Sequence, residues 1–197
     1  MRHEFQLAHN SGVVRGSLIP MLAIGLFAVF VIIAIFNTLV SSKEYEAELI
    51  ERDVNKLVDI MKQVEKDCKI LSFDGQKNVI NFLNAKSFAG SEVGPVNLKH
   101  ADRWKGPYVE HNPTMQGRNY LIVRTKKGYY ITPGEGVRLP SGKIIGTDIK
   151  FDENTDIDAM IKDDNQLLYK GKQLAAPLDI KKRAPYFLMT SPVSNIF

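Results

Sequence analysis

Apolar and polar positions divide the chain into three regimes. From Ser17 to Val40 it reads SLIPMLAIGLFAVFVIIAIFNTLV, with no charged residue between Arg15 and Lys43. At 1.5 Å per residue these two dozen residues predict a helix of roughly 36 Å, enough to cross a hydrocarbon core of roughly 30 Å with some tilt. A run this long and apolar argues against a buried helix of a soluble protein. From Lys43 to about Leu71 the sequence lacks Gly and Pro and is rich in Glu, Lys, Leu, Met and Ala, so the helix is expected to continue. Here it turns amphipathic. Tyr45, Leu49, Val54, Leu57, Val58, Met61, Val64 and Cys68 make an apolar stripe, with one five-residue step from Leu49 to Val54. Glu44, Glu48, Glu51, Asn55 and Asp59 line the other faces, and Asp53 and Lys56 are spaced to pair. The stripe is expected to pack on the chain's own downstream strands. A coiled-coil stalk is the alternative.

The third regime has the period of short strands. Phe73-Asp74-Gly75 marks the expected helix break, residues 76–90 a short helix or loop, and Gly90 to Pro95 a loop. Arg118–Thr125 is the clearest strand, and Lys126-Lys127-Gly128 turns it into an antiparallel partner, Gly128–Thr132. Pro133–Gly136 and Pro140–Gly142 are turns, bounding strands at Val137–Leu139 and Lys143–Ile149. Tyr186–Met189 reads as a last strand or one donated to a neighbour. The expected fold is α+β: a long N-terminal helix, membrane-spanning in its first half and amphipathic in its second, packed on a small antiparallel sheet. The expected divisions are a leader at 1–16, a transmembrane helix at 17–41, an amphipathic helix at 42–72 and a globular domain at 73–197.

Composition narrows the reading. The chain has 197 residues and a net charge of +4, too small to indicate nucleic acid. Lys181-Lys182-Arg183 reads as a solvated turn. The single cysteine, Cys68, excludes an internal disulfide and reads as a small apolar side chain on the helix. Arg2 and Arg15 precede the apolar run, and the acidic KEYEAELIERD follows it. Positive charge stays inside, so the N-terminus is expected in the cytoplasm and the remainder exported. The apolar run is too long for a cleaved secretory signal, and no small-x-small site follows it.

Little points to catalysis. His100 and His111 lack a paired nucleophile, there is no Gly-x-Ser-x-Gly elbow, and Gly134-Glu135-Gly136 precedes a strand, not a helix. The chain is therefore read as a non-enzyme. Asp152, Asn154, Asp156 and Asp158 place oxygens at alternate positions, as at the start of a calcium loop, with Ile157 at the glycine position and Asp163 as the closing acid. The alternative is a turn in which Asp156 caps a short helix. Trp104, Tyr108, Tyr120, Tyr129 and Tyr130 are read as sheet core, or as an exposed face for a glycan or partner.

Three parts of the chain resemble the type IV pilin and pseudopilin family. Arg15-Gly16-Ser17-Leu18-Ile19-Pro20-Met21-Leu22 is similar to a prepilin cleavage motif, a short basic leader ending in Gly before an uncharged helix. The helix continues past the membrane. Ala101–Val109 (ADRWKGPYV) resembles the family segment that enters the sheet, and Thr155–Gly171 resembles a pilin-like ending. The resemblance implies processing between Gly16 and Ser17, methylation of the new terminus, and assembly through Leu18, Ile19, Pro20, Met21, Leu22 and Gly25. Gly25 also reads as ordinary tolerance of glycine in a membrane helix. The implied partners are a prepilin peptidase, other pilin-like subunits, an inner-membrane assembly platform and membrane lipid, and calcium is known in the major pseudopilins. One departure stands out: the family's early helix glutamate is absent, with Pro20 and Met21 at the candidate positions. That suggests a minor subunit at a filament tip. The alternative is a permanently anchored single-pass envelope protein whose exported domain binds a partner or glycan. Either way the expected location is the inner membrane, with the C-terminal domain periplasmic or in an extracellular filament.

Overall fold

The computed structural model describes the backbone of residues 13–180 and the side chains from Pro20 onward. The leader residues 1–12, the basic cluster at 181–183 and the expected strand at 186–189 lie outside the described residues. The chain divides into two units, Met1–Lys43 and Glu44–Phe197.

Helix α1 runs from Val13 to Cys68. Its part in the second unit presents Ala47, Ile50, Val54, Leu57, Met61, Val64 and Cys68 to the core, with Val58 beside them, all buried. These positions alternate steps of three and four, so the buried stripe is regular. Tyr45 and Leu49, expected in it, are not part of it: Tyr45 is 64% exposed and Leu49 half-buried. The five-residue step came from assigning those two to the seam in place of Ala47 and Ile50. The stripe shares one hydrophobic core with the strands, as the reading of packing on the chain's own sheet expected.

The helix ends three residues earlier than expected. Lys69 takes a left-handed conformation (φ 59°) and its amide donates to the Glu65 carbonyl at 3.1 Å. The Glu65 carboxylate accepts the Ile70 amide at 2.6 Å, which caps the end. A strand, β1 (Ile70–Phe73), follows at once. Residues 76–90 hold no helix but a strand, β2 (Lys77–Val79), and the expected loop at 90–95 is part of a hairpin of β3 (Glu92–Val93) and β4 (Val96–Leu98). The turn between them needs glycine. Gly94 has φ +54°, and a Cβ there would lie 2.9 Å from Phe82 Cβ.

Strands β5 (Thr114–Met115) and β6 (Arg118–Asn119) form one hairpin, and β7 (Leu121–Arg124) and β8 (Tyr129–Thr132) form the expected one, with Leu121 opposite Thr132 and Arg124 opposite Tyr129. Helix α2 (Ile157–Met160) precedes β9 (Leu168–Tyr169), β10 (Lys172–Gln173) and β11 (Ala176–Leu178). The largest sheet is antiparallel, in the order β11-β8-β7-β2. A three-stranded sheet β1-β4-β3 and the hairpins β5-β6 and β9-β10 complete the set among the described residues. The fold is thus α+β, with several small antiparallel sheets in place of one.

Val137–Leu139 and Lys143–Ile149 are not strands. They make only isolated bridges, Arg138 to Ile144 and Ile145 to Ile149. Their apolar side chains Val137, Leu139, Ile145 and Ile149 are nonetheless buried, which is why the alternation resembled a strand. Ala101–Val109 does not enter a sheet either. It is a 3-10 turn (Ala101–Arg103) followed by irregular chain with a cis Gly106–Pro107 bond. Trp104 donates its indole N–H to the Ala85 carbonyl at 2.9 Å and packs edge-on between Phe88 and Tyr108. Tyr120 and Tyr130 are buried, and Trp104, Tyr108 and Tyr129 pack half-buried against the core, so these five form no exposed aromatic face. Cys68 is buried and free, as expected.

Asp53 does not pair with Lys56. It accepts the Tyr120 hydroxyl at 3.2 Å and meets Arg52 at 3.5 Å. Burial first, and the nearby Asp53 charge second, push the Tyr120 phenol well above its ordinary value. Burial and a hydrogen bond to Asp158 push Tyr130 up to about 12. A phenol whose folded pKa is raised contributes stability that is fully present below its unfolded value near 10 and lost as pH rises through the folded value. Alkaline unfolding is therefore expected from about pH 10 upward. Tyrosinate absorbance and near-UV circular dichroism, followed together, will show Tyr120 and Tyr130 ionising only as the domain unfolds. Smooth ionisation of all seven tyrosines with the fold intact would contradict this.

Candidate functional site

The apolar half of α1 sets the functional geometry of the first unit. Its most apolar 18-residue window has a mean hydropathy of 2.6, and none of that window is buried. Met21, Leu22 and Phe27 are each about 70% exposed, and Ile24, Phe30, Ile32, Ile35 and Phe36 are exposed too, so the surface is apolar all round. Such a helix is long and apolar enough to cross a membrane. Thr38 returns its hydroxyl to the Ala34 carbonyl at 2.9 Å, which hides one of the few polar groups. Gly25 has open space around it, so a side chain there would meet nothing in this chain.

The expected junction residues Gly16, Ser17, Leu18 and Ile19 fall within α1, and their side chains lie outside the described residues. Pro20 lies inside the helix, seven residues after its first. Proline has no amide to donate four residues back, so the Gly16 carbonyl loses its helical partner. The helix is therefore weakened at the peptide bond the motif marks. The sequence contained that signal in the spacing of Gly16 and Pro20, but it becomes legible only once the helix is known to start upstream.

The loop from Asp152 to Asp158 is a turn and a cap. Asp152 accepts the Asn154 amide at 2.8 Å and the Thr155 hydroxyl at 3.0 Å; these hydrogen bonds, Thr155's first, hold its carboxyl below the usual range. Asp156 is the N-cap of α2, accepting the Ala159 amide at 3.2 Å, and also takes the Lys127 ammonium. The Lys127 hydrogen bond, then the Ala159 amide, lower its pKa. Asp158 serves the Tyr130 hydroxyl, and Asp163 accepts the Asn165 amide and the Gln166 side chain, both at 2.8 Å. The capping alternative is the one this geometry carries. Among the described residues no group of three or more His, Cys, Asp and Glu side chains is placed to hold a metal ion.

A depressed carboxyl contributes stability above its unfolded pKa and loses it as pH falls through the folded value. Asp156→Ala is expected to lower the thermal midpoint at neutral pH. Asp156→Asn, which keeps the capping oxygen, is expected to lower it less and to flatten its fall below about pH 4. Thermal melts from pH 3 to 7 on the three proteins check both.

Sequence reasoning missed what ties the β9-β10 hairpin to α1. Lys170 pairs with Glu44 at 3.2 Å, Lys172 with Glu51 at 3.8 Å, and the Gln173 amide donates to Glu51 at 3.1 Å. Glu44 and Glu51, expected on the faces away from the stripe, meet a hairpin more than a hundred residues away.

Comparison with known proteins gives no match: no protein-family model, curated protein or solved structure matches this chain.

Proposed function

We propose that the chain is a membrane-anchored, pilin-like structural subunit, a minor pilin or pseudopilin. It is processed between Gly16 and Ser17 and assembles through its N-terminal helix into a filament or filament tip. The observation that carries this reading is the two-part character of α1. Its membrane-distal part, Ala47 to Cys68, buries one regular stripe in its own domain, while residues 20–39 bury nothing and offer apolar side chains on every side. Each such side chain is worth on the order of 1.5–3 kcal/mol when removed from water. The segment therefore belongs in lipid or among similar helices, and moving between the two exposes little of it to water. The Gly16 carbonyl, for which Pro20 has no amide to donate, supports a processing site there. Partners in this reading are a prepilin peptidase, other pilin-like subunits and an inner-membrane assembly platform.

The missing early glutamate favours a second reading, a single-pass envelope protein that keeps its leader and binds a partner or glycan outside the membrane. Shearing of intact cells separates the two. The filament reading expects the chain in the sheared surface fraction, and in greater amount when filament retraction is blocked. A chain that stays wholly in the inner-membrane pellet under both conditions would favour the permanent anchor.

A further inference from the structure

The largest sheet has one blocked edge and one open edge. β11 carries Pro177 at its centre, which removes a donor and blunts that side. β2 is the other edge. The Ile80 amide donates to the Tyr120 carbonyl at 2.9 Å and the Arg124 amide to the Gln76 carbonyl at 2.7 Å. With Asn78 opposite Ile122, hydrogen bonds of the antiparallel ladder fall at 76, 78 and 80. The amides and carbonyls of Lys77 and Val79 therefore point away from β7. No hydrogen bond from either amide is present among the described residues outside the ladder.

Two cavities flank this edge. One, about 320 Å³, is floored by Val79 and Leu121 and rimmed by Lys77, Arg118 and Glu135. The other, about 470 Å³, runs from β2 to Gly94 and Pro95 in the β3-β4 turn. Val79 is 40% exposed between them. An open backbone edge with a cavity on either side is what an added strand requires: main-chain bonds for affinity, and pockets for alternate side chains.

We infer that the β2 edge receives residues Tyr186–Met189 from a second copy of this chain. Seventeen residues follow Ile180. From Ala184 to Phe197 they carry no charge, and Tyr186-Phe187-Leu188-Met189 lies between Pro185 and Pro192, an uncharged segment with two aromatic β-formers. Length and the β7-β8 turn disfavour the same copy. β11 leaves the sheet at Leu178, opposite Tyr129, at the end where β2 begins. Reaching the outer side of β2 from there crosses four strand spacings, about 19 Å. Ile180 is still held at β11 by its bond to the Leu178 carbonyl. The six Cα steps from Ile180 to Tyr186 cover about 21 Å only when fully stretched and straight, while the β7-β8 turn at residues 125–128 lies at the same end of the sheet, beside that path. The same path would also lay Lys181, Lys182 and Arg183 along the turn that carries Lys126 and Lys127. The inference goes beyond the proposed function and holds whether or not the leader is removed.

The test uses full-length chains in their native membrane. One variant carries Val79→Cys and another Leu188→Cys, expressed together and oxidised with copper phenanthroline. Cys68, wholly buried, stays reduced. The expected result is a disulfide-linked heterodimer at least tenfold above either variant alone. Adding Lys77→Pro removes one outward amide while sparing the ladder to β7. It is expected to cut the yield at least fivefold with near-UV circular dichroism unchanged. In the Val79→Cys/Leu188→Cys double variant, a disulfide within one chain would overturn the inference. So would a mixed population that gives no dimer above the single variants, or a dimer indifferent to Lys77→Pro in a folded domain.

Discussion

Leu26→Lys combined with Ile33→Lys is expected to release the chain from the membrane, while either change alone leaves most of it inserted. Thirteen Leu, Ile, Phe and Val residues lie from Pro20 to Val40 inclusive. At about 0.3–0.6 kcal/mol each they favour insertion by roughly 4–8 kcal/mol. One lysine near the centre costs about 2.5–3.5 kcal/mol and also removes an apolar side chain, so the balance stays favourable. Two lysines cost about 5–7 kcal/mol and also remove two apolar side chains, which leaves roughly 3–7 kcal/mol in favour and cancels most or all of the drive to insert. Extraction of membranes with alkaline carbonate reads the outcome: the single variants should pellet and the double variant should appear in the supernatant. A double variant that pellets as the parent does would mean that something other than this helix anchors the chain.

The second large effect lies in the amphipathic half of the same helix. Leu57 is wholly buried against the strands, and Leu57→Ala is expected to destabilise the second unit by about 2–5 kcal/mol, through lost transfer energy and an unfilled cavity. For a unit of this size that corresponds to a fall in Tm of about 10 °C. Tyr45→Ala, at an exposed site, should change stability by less than about 0.5 kcal/mol. The contrast distinguishes the regular seam through Ala47 and Ile50 from one through Tyr45 and Leu49. Melting of the three full chains in detergent measures it. Equal losses at positions 45 and 57, or a midpoint that rises with protein concentration, would instead indicate a helix stripe buried against another copy.

The continuity of the helix past its apolar run and the change in its character were legible because both follow from side-chain periodicity, a property of neighbours in sequence. The β7-β8 hairpin was legible for the same reason: Lys126-Lys127-Gly128 separates two runs of β-formers. What stayed hidden depended on partners far away. β2 reads as polar chain because its central residue is Asn78, yet that side chain is buried, accepting the Gly75 amide and donating to the Gly75 carbonyl, each at 2.9 Å. The helix stop at Cys68 has no glycine to announce it, since Lys69 takes the left-handed position and Glu65 folds back to cap. The loop at 137–149 buries strand-like apolar residues without sheet pairing. Its alternation was real, but it reports burial and not hydrogen bonding. In the acidic loop, the spacing of Asp152, Asn154, Asp156 and Asp158 was visible. What it could not reveal was that Lys127, Ala159 and Tyr130 would engage the carboxylates separately.

The leader junction joins the motif, the interrupted helix and the proposed assembly, so it offers the most direct test. The measurement is the N-terminal residue and intact mass of the protein purified from its native membrane. The account predicts a chain beginning at Ser17, lighter than the full sequence by residues 1–16 and carrying a methyl group on its new terminus. A chain that still begins at Met1, or is cut elsewhere in the leader, would contradict processing at Gly16 and leave a permanently anchored envelope protein.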